Sequence, residues 1–204
     1  MAPAESHTWE CAARIDSAST EFIQINRQSN TTTVPKRLIL MRGLPSCGKS
    51  YTSRKLAAEG GVRIEFDEYF HTQVGNDSSS YDWSYELLPQ ARQWNLERII
   101  SAVDAGASPI IVDSDNVAGP LTRHYATYAT DRGYEIGFKE PESPWWRAIR
   151  ELLRDKGANA EALRTWARKL TVMSKSTHRV PLEDFLHRID RWENVTVERV
   201  TMAA

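Results

Sequence analysis

Residues 43 to 50 read Gly-Leu-Pro-Ser-Cys-Gly-Lys-Ser and match the pattern G-x-x-x-x-G-K-[ST] in full. Glycines in such a segment let the backbone curl, so that successive N–H groups converge on phosphate oxygens. A helix that starts at this point adds the positive end of its dipole. Gly43, Pro45, Ser46, Cys47, Gly48, Lys49, Ser50 and Tyr51 are therefore the candidate nucleotide contacts. Lys49 should reach the β- and γ-phosphates of ATP, and the Ser50 hydroxyl should ligate Mg²⁺. The chemistry this implies is phosphoryl transfer.

Two acidic clusters stand where such chemistry needs carboxylates. Asp113 follows the apolar run Pro109-Ile110-Ile111-Val112, with Asp115 and Asn116 behind it. Its setting is that of an acid that holds magnesium or the ion's water shell. Asp67, with Glu68 beside it, lies about seventeen residues beyond Ser50, one helix and one strand later. That is a natural place for a base that takes the proton of an acceptor hydroxyl. The competing reading of either aspartate is a solvated loop residue or a helix cap.

Positive charge around the moving phosphoryl group has an obvious source. Between residues 147 and 191 lie Arg147, Arg150, Arg154, Lys156, Arg164, Arg168, Lys169, Lys175, Arg179, Arg188 and Arg191. A helical lid carrying one or two of these to the phosphates would supply the charge that transfer requires. For most of them the plain alternative holds: a solvated helix face balanced by Glu151, Asp155 and Glu161.

The elements that must position these groups are legible in the apolar pattern. RLILM (37–41) reads as a strand buried on both faces, and PIIVD (109–113) as another strand. VRIEF (62–66) and YEIGF (134–138) read as further strands, and VTVERV (195–200) as a final one. Helices are expected over 49–59, 87–105 with Gly106 past the end, 119–132, 145–175 with a break near Gly157, and from Pro181 to about Trp192. Strands alternating with helices imply an α/β fold: a parallel sheet covered on both faces, here a three-layer P-loop arrangement with a helical lid. In open sheets of this kind ligands sit beyond the carboxyl ends of the strands, where Asp67 and Asp113 fall.

Length and composition bound the rest. A chain of 204 residues suits one domain, here residues 36–204, preceded by an arm or tail at 1–35 that ends in the linker-like SNTTTVPK. With 26 basic and 27 acidic residues the net charge is −1, so no global field attracts nucleic acid. A nucleic-acid substrate would need a local patch or a short acceptor end, and a small-molecule hydroxyl is the alternative. The only cysteines are Cys11 and Cys47, which suits a reducing cytoplasm better than a disulfide framework. No apolar run approaches membrane-span length, and the first residues lack the order of a secretory signal. Nothing in the sequence names a protein partner.

Taken in order, GLPSCGKS, RIEFDEYF, ELLPQARQWN, PIIVDSDN, EPESPW and STHRVP resemble the kinase domain of the NEDD4-binding protein 2-like family, and more distantly phage polynucleotide kinase. The resemblance covers roughly residues 36 to 193. It implies an ATP-dependent kinase acting on a polynucleotide 5′-hydroxyl. Under it, Lys49 and Ser50 match the phosphate-loop pair, Asp67 the general base and Asp113 the acid of the I-D-N-T-N-like motif. The family's lid arginine, five residues before Val180-Pro181, falls on Lys175, which keeps the charge but lacks the bidentate fork. Arg179 is the neighbouring alternative. The phage enzyme has arginine three residues after its base, where Phe70 stands here, so the acceptor contact differs.

Overall fold

The computed structural model describes residues 34–72, 84–116, 119–175 and 177–201. All lie in one compact unit, Val34–Ala204. The arm expected at 1–35 falls, apart from Val34 and Pro35, outside the described residues.

Among the described residues the sheet has four strands: β1 (Lys36–Met41), β2 (Val62–Glu65), β3 (Ile110–Asp113) and β4 (Tyr134–Lys139). Their order is β2-β3-β1-β4 and every pairing is parallel. β3 is buried along its whole length, as its unbroken apolar run requires of a central strand. The register sets Ile39 opposite Ile111 and Glu65 opposite Asp113. β3 therefore stands between β1, which feeds the phosphate loop, and β2, which leads to Asp67.

Helix α1 (Lys49–Ala58) packs against β2 and β3 on one face of the sheet. The other face is covered by α3 (Leu88–Asp104), α4 (Pro120–Thr130) and α8 (Val197–Thr201). A short helix, α2 (Glu68–Thr72), opens the segment after β2. The main core is built from alternate strand residues, Leu38, Leu40, Ile110, Val112 and Ile64, against Ile99, Val103, Tyr125, Ala126 and Val200. α3 ends as its sequence predicts: Gly106 has φ 71°, and the Ala107 amide donates back to the Ala102 carbonyl at 3.0 Å.

Three further helices, α5 (Pro144–Leu152), α6 (Ala160–Ser174) and α7 (Leu182–Asp190), share a second core. Trp146, Ile149, Leu163, Leu170 and Phe185 fill it. The break expected near Gly157 is the turn between α5 and α6. Leu44 and Cys47 also belong to this core, so the phosphate loop lies between the sheet and the helical layer. The outcome is the three-layer α/β P-loop fold with a helical lid that the alternation of elements predicts.

One expectation is corrected. VTVERV (195–200) is not a strand; Val197–Thr201 is helical. Val197, Val200 and Thr201 follow a helical spacing, the Thr196 hydroxyl accepts from the Arg199 amide at 3.4 Å, and Val200 is wholly buried. A helical turn sends Val200 into the core beside α4, and the apparent alternation is an accident of Val195 and Val197. Among the described residues no helix is long and apolar enough to cross a membrane.

Candidate active site

The phosphate loop is held in a conformation that its residue types explain. Gly43 has φ 144°, and a side chain there would press on the Pro141 ring, with Cδ at 3.1 Å. Gly48 has φ 92° and immediately precedes α1. Ser46 adopts φ 60°, a left-handed conformation uncommon outside glycine. The start of α5 braces the loop from outside: Ser143 Oγ donates to the Cys47 carbonyl at 2.9 Å, and Trp145 Nε1 to the Ser46 carbonyl at 3.2 Å. These two bonds fix the curled backbone that an anion nest requires. The Ser46 hydroxyl oxygen is buried and has no hydrogen-bond partner, so it has capacity for a phosphate oxygen. Burial pushes the Cys47 thiol up to about 12. Tyr51, by contrast, is 77% exposed on α1.

Lys49 is the first residue of α1 and turns back over the loop. Its Nζ donates to the Gly43 carbonyl at 2.8 Å and the Leu44 carbonyl at 3.1 Å, and lies 3.0 Å from Asp115 Oδ1. Burial lowers the pKa of this amine. Asp113 and then Cys47 act in the opposite direction, Arg188 adds to the lowering, and Asp67 opposes it least of all. The ammonium thus feels both strand-end aspartates and a helical arginine.

Asp113 is buried at the end of β3. Its Oδ2 accepts from Ser53 Oγ at 2.7 Å and from Arg63 Nη2 at 2.6 Å. Arg63 Nη1 also pairs with Glu65 at 2.7 Å. Burial opposes the Arg63 charge, but Glu65 and Asp113 outweigh it and raise its pKa. Ser50 and Asp113 offer hard oxygen donors of the kind Mg²⁺ takes. Since Asp113 Oδ2 is already bonded to Arg63 and Ser53, the donor set fits an ion held directly by Ser50 and reached by Asp113 through water. Among the described residues no group of three His, Cys, Asp or Glu stands together as a metal cage. Mg²⁺ here would take its remaining ligands from phosphates and water, as this ion usually does.

Asp67 follows β2 and is partly exposed. The Phe66 amide extends the sheet by donating to the Asp113 carbonyl at 3.2 Å, and the Asp67 carbonyl accepts from the Phe70 amide at 3.1 Å. Phe70 is wholly buried and packs edge-on against Phe66 and Tyr69. It anchors the Asp67 turn from beneath, with its ring in the core. From above, His178 Nδ1, in the α6–α7 connection, lies 3.8 Å from Asp67 Oδ2.

At the strand ends the helical layer meets the site through His178 and Arg188, while the two lid cations expected from the sequence lie at its surface. Lys175 caps α6 and is exposed, as is Arg179, which has φ 48°. Arg188, on α7, pairs with Asp115 Oδ2. In the sequence Arg188 is one cation of a long run and Asp115 a neighbour of Asp113. No local pattern marks either, because their contact exists only once α7 folds back over the strand ends. His178 lies inside STHRVP with no signal of its own.

A family model described as an AAA domain matches residues 38–180. The chain belongs to this AAA-domain family. The expected likeness to NEDD4-binding protein 2 is also found: the human protein is 31% identical over 122 residues. That match covers 59% of this chain and 7% of the human protein, so this AAA domain spans a small part of its relative's length. Among solved structures, one similar chain comes from the "Pnkp1/Rnl/Hen1 complex" (TM-score 0.43, 20% identity, 62% of this chain and 40% of that one). Another is the Cys556Ala mutant of the Mycobacterium tuberculosis APS kinase CysC (TM-score 0.33, 17% identity, 59% of this chain and 99% of that one). With its phosphate loop between strand β1 and helix α1, this AAA domain is a P-loop domain built to bind a nucleotide.

Proposed function

We propose that this domain transfers the γ-phosphate of ATP to a hydroxyl, and that the acceptor is the 5′-hydroxyl end of a polynucleotide. The observation that carries the reading is that one end of the parallel sheet gathers the phosphate-loop ammonium of Lys49, at the start of α1, and two strand-end carboxylates: Asp113 closes β3, and Asp67 follows β2, whose Glu65 is in register with Asp113.

In this mechanism the loop amides from Gly43 to Ser50 and the Lys49 ammonium hold the donor phosphates. Ser50 and Asp113 would hold Mg²⁺, which would supply charge neutralisation on the phosphates. Asp67 accepts the acceptor's O–H proton as the new O–P bond forms and the bond from the γ-phosphorus to the departing ADP oxygen breaks. His178 borders the Asp67 carboxylate from the helical side. Lys175, at the end of α6, is the lid cation that the family register assigns to the transferred group.

The polynucleotide acceptor rests on the ordered motifs from GLPSCGKS to STHRVP. The net charge of −1 favours a second reading, a small-molecule hydroxyl such as that of a sugar, nucleoside or antibiotic. The test is γ-labelled ATP offered with Mg²⁺ to 5′-hydroxyl DNA and RNA oligonucleotides and to a panel of small metabolites. Label on the 5′ end supports the proposal, and label on a metabolite alone moves the acceptor to the second reading. ATP bound with no transfer to any acceptor makes the domain a nucleotide-dependent switch.

A further inference from the structure

The geometry points to Arg188 as a catalytic residue that touches the γ-phosphoryl group, with Asp115 as the built-in anion that holds its place until ATP arrives. This rests on the kinase reading above.

Asp115 uses both carboxylate oxygens on cations. Oδ1 lies 3.0 Å from Lys49 Nζ, and Oδ2 pairs with Arg188. Lys49 is the residue whose position in G-x-x-x-x-G-K-[ST] assigns it to β- and γ-phosphate oxygens. An anion bridging Lys49 to Arg188 therefore sits beside the place where a terminal phosphate must go. A phosphoryl group offers the same two cations at least two oxygens, with more charge than one carboxylate. One carboxylate between two cations also leaves the trio with a surplus positive charge. Arg188 acts to lower the Lys49 amine's pKa, against a larger raising effect from Asp113. A multiply charged γ-phosphate relieves that repulsion better than Asp115 does.

The placement of Arg188 suits a contact that has to change partners. Its side chain is 41% exposed, and α7 is held by other residues: Phe185 and Ile189 in the helical core, and Asp184, which accepts from the Tyr85 hydroxyl at 3.1 Å. The seating of α7 therefore has anchors besides the guanidinium. The fork of donors on Arg188 matches phosphate oxygens in a way that the ammonium at Lys175 cannot. On ATP binding, the arginine exchanges the Asp115 carboxylate for γ-phosphate oxygens and supplies charge where it builds up during transfer.

The test uses the full chain with ATP, ADP and Mg²⁺. Arg188→Ala and Arg188→Gln are both made, since either leaves Phe185 and Ile189 in place, and unfolding curves confirm the fold. A γ-phosphate contact predicts that both variants lose affinity for ATP more than for ADP. It also predicts that single-turnover transfer at saturating ATP falls by about a hundredfold. Asp115→Asn, which removes the competing charge, should tighten ATP binding about fivefold or more. Equal changes for ATP and ADP, or ATP binding that is no tighter in Asp115→Asn, would overturn the proposal. The comparison of ATP with ADP is read by binding alone. If wild-type protein transfers phosphate to no acceptor, the kinase reading fails while the Arg188 contact is still decided.

Discussion

Arg63 Nη2 donates to Asp113 Oδ2 at 2.6 Å, tying the edge strand β2 to the buried end of β3. The Asp113 side chain is only 3% exposed, so its charge depends on this partner and on Ser53. Removing one member of such a pair leaves an uncompensated charge. Arg63→Met should cost about 3 kcal/mol of stability, measured by urea unfolding. Asp113→Asn, which still accepts hydrogen bonds, should cost less, yet weaken the dependence of nucleotide binding on Mg²⁺. An Arg63→Met protein as stable as wild type would mean that Asp113 does not need its partner.

Lys49 lies over the loop carbonyls, and its place in the phosphate-loop motif assigns it to the donor phosphates. Lys49→Ala should fold normally, because α1 keeps its contacts, and lose about a hundredfold or more in transfer rate. Circular dichroism and steady-state assays check the two halves of this statement. Near-normal turnover in a folded Lys49→Ala protein would end the kinase reading.

Cys47 sits in the phosphate loop, and burial raises its thiol to about 12. At pH 8 the reactive thiolate is then roughly one part in ten thousand. Alkylation with iodoacetamide should leave the Cys47 peptide unmodified in native protein and modify it fully in guanidinium, as read by mass spectrometry. Above the ordinary thiol value of 9.0 the unfolded chain loses this proton, while the folded one keeps it until about 12. The contribution of Cys47 to stability therefore falls as pH rises through that window.

The parts of the site written contiguously in the chain are legible in the sequence. Gly43 to Ser50 form a local code whose conformation follows from their own glycines. The strand-end positions of Asp67 and Asp113 are legible from the apolar runs that precede them, and strand ends are where open parallel sheets hold ligands. Asn116 illustrates what is not. Its Nδ2 lies 2.7 Å from the Met41 carbonyl and 2.9 Å from that of Val112, and its Oδ1 accepts from the Tyr125 hydroxyl, tying β1 to β3 at the mouth of the loop. Met41 and Tyr125 belong to other elements, and only the folded sheet brings them to Asn116. The same holds for Arg188 and Asp115, and for Arg63, which reads as an ordinary strand residue. The α8 segment misleads for another reason: with a run of so few residues, Val195, Val197 and Val200 fit a strand nearly as well as a helical turn.

Asp67 is proposed to take the acceptor's proton and to have no large part in holding ATP. Asp67→Asn keeps the size of the side chain and its capping ability but cannot accept that proton. The decisive measurement is single-turnover transfer from labelled ATP by Asp67→Asn, alongside its equilibrium affinity for ATP. A general base at this position requires a rate lower by about a hundredfold to ten-thousandfold with ATP affinity nearly unchanged. Transfer at close to the wild-type rate would contradict it, remove Asp67 from the mechanism and make Glu68 the next candidate.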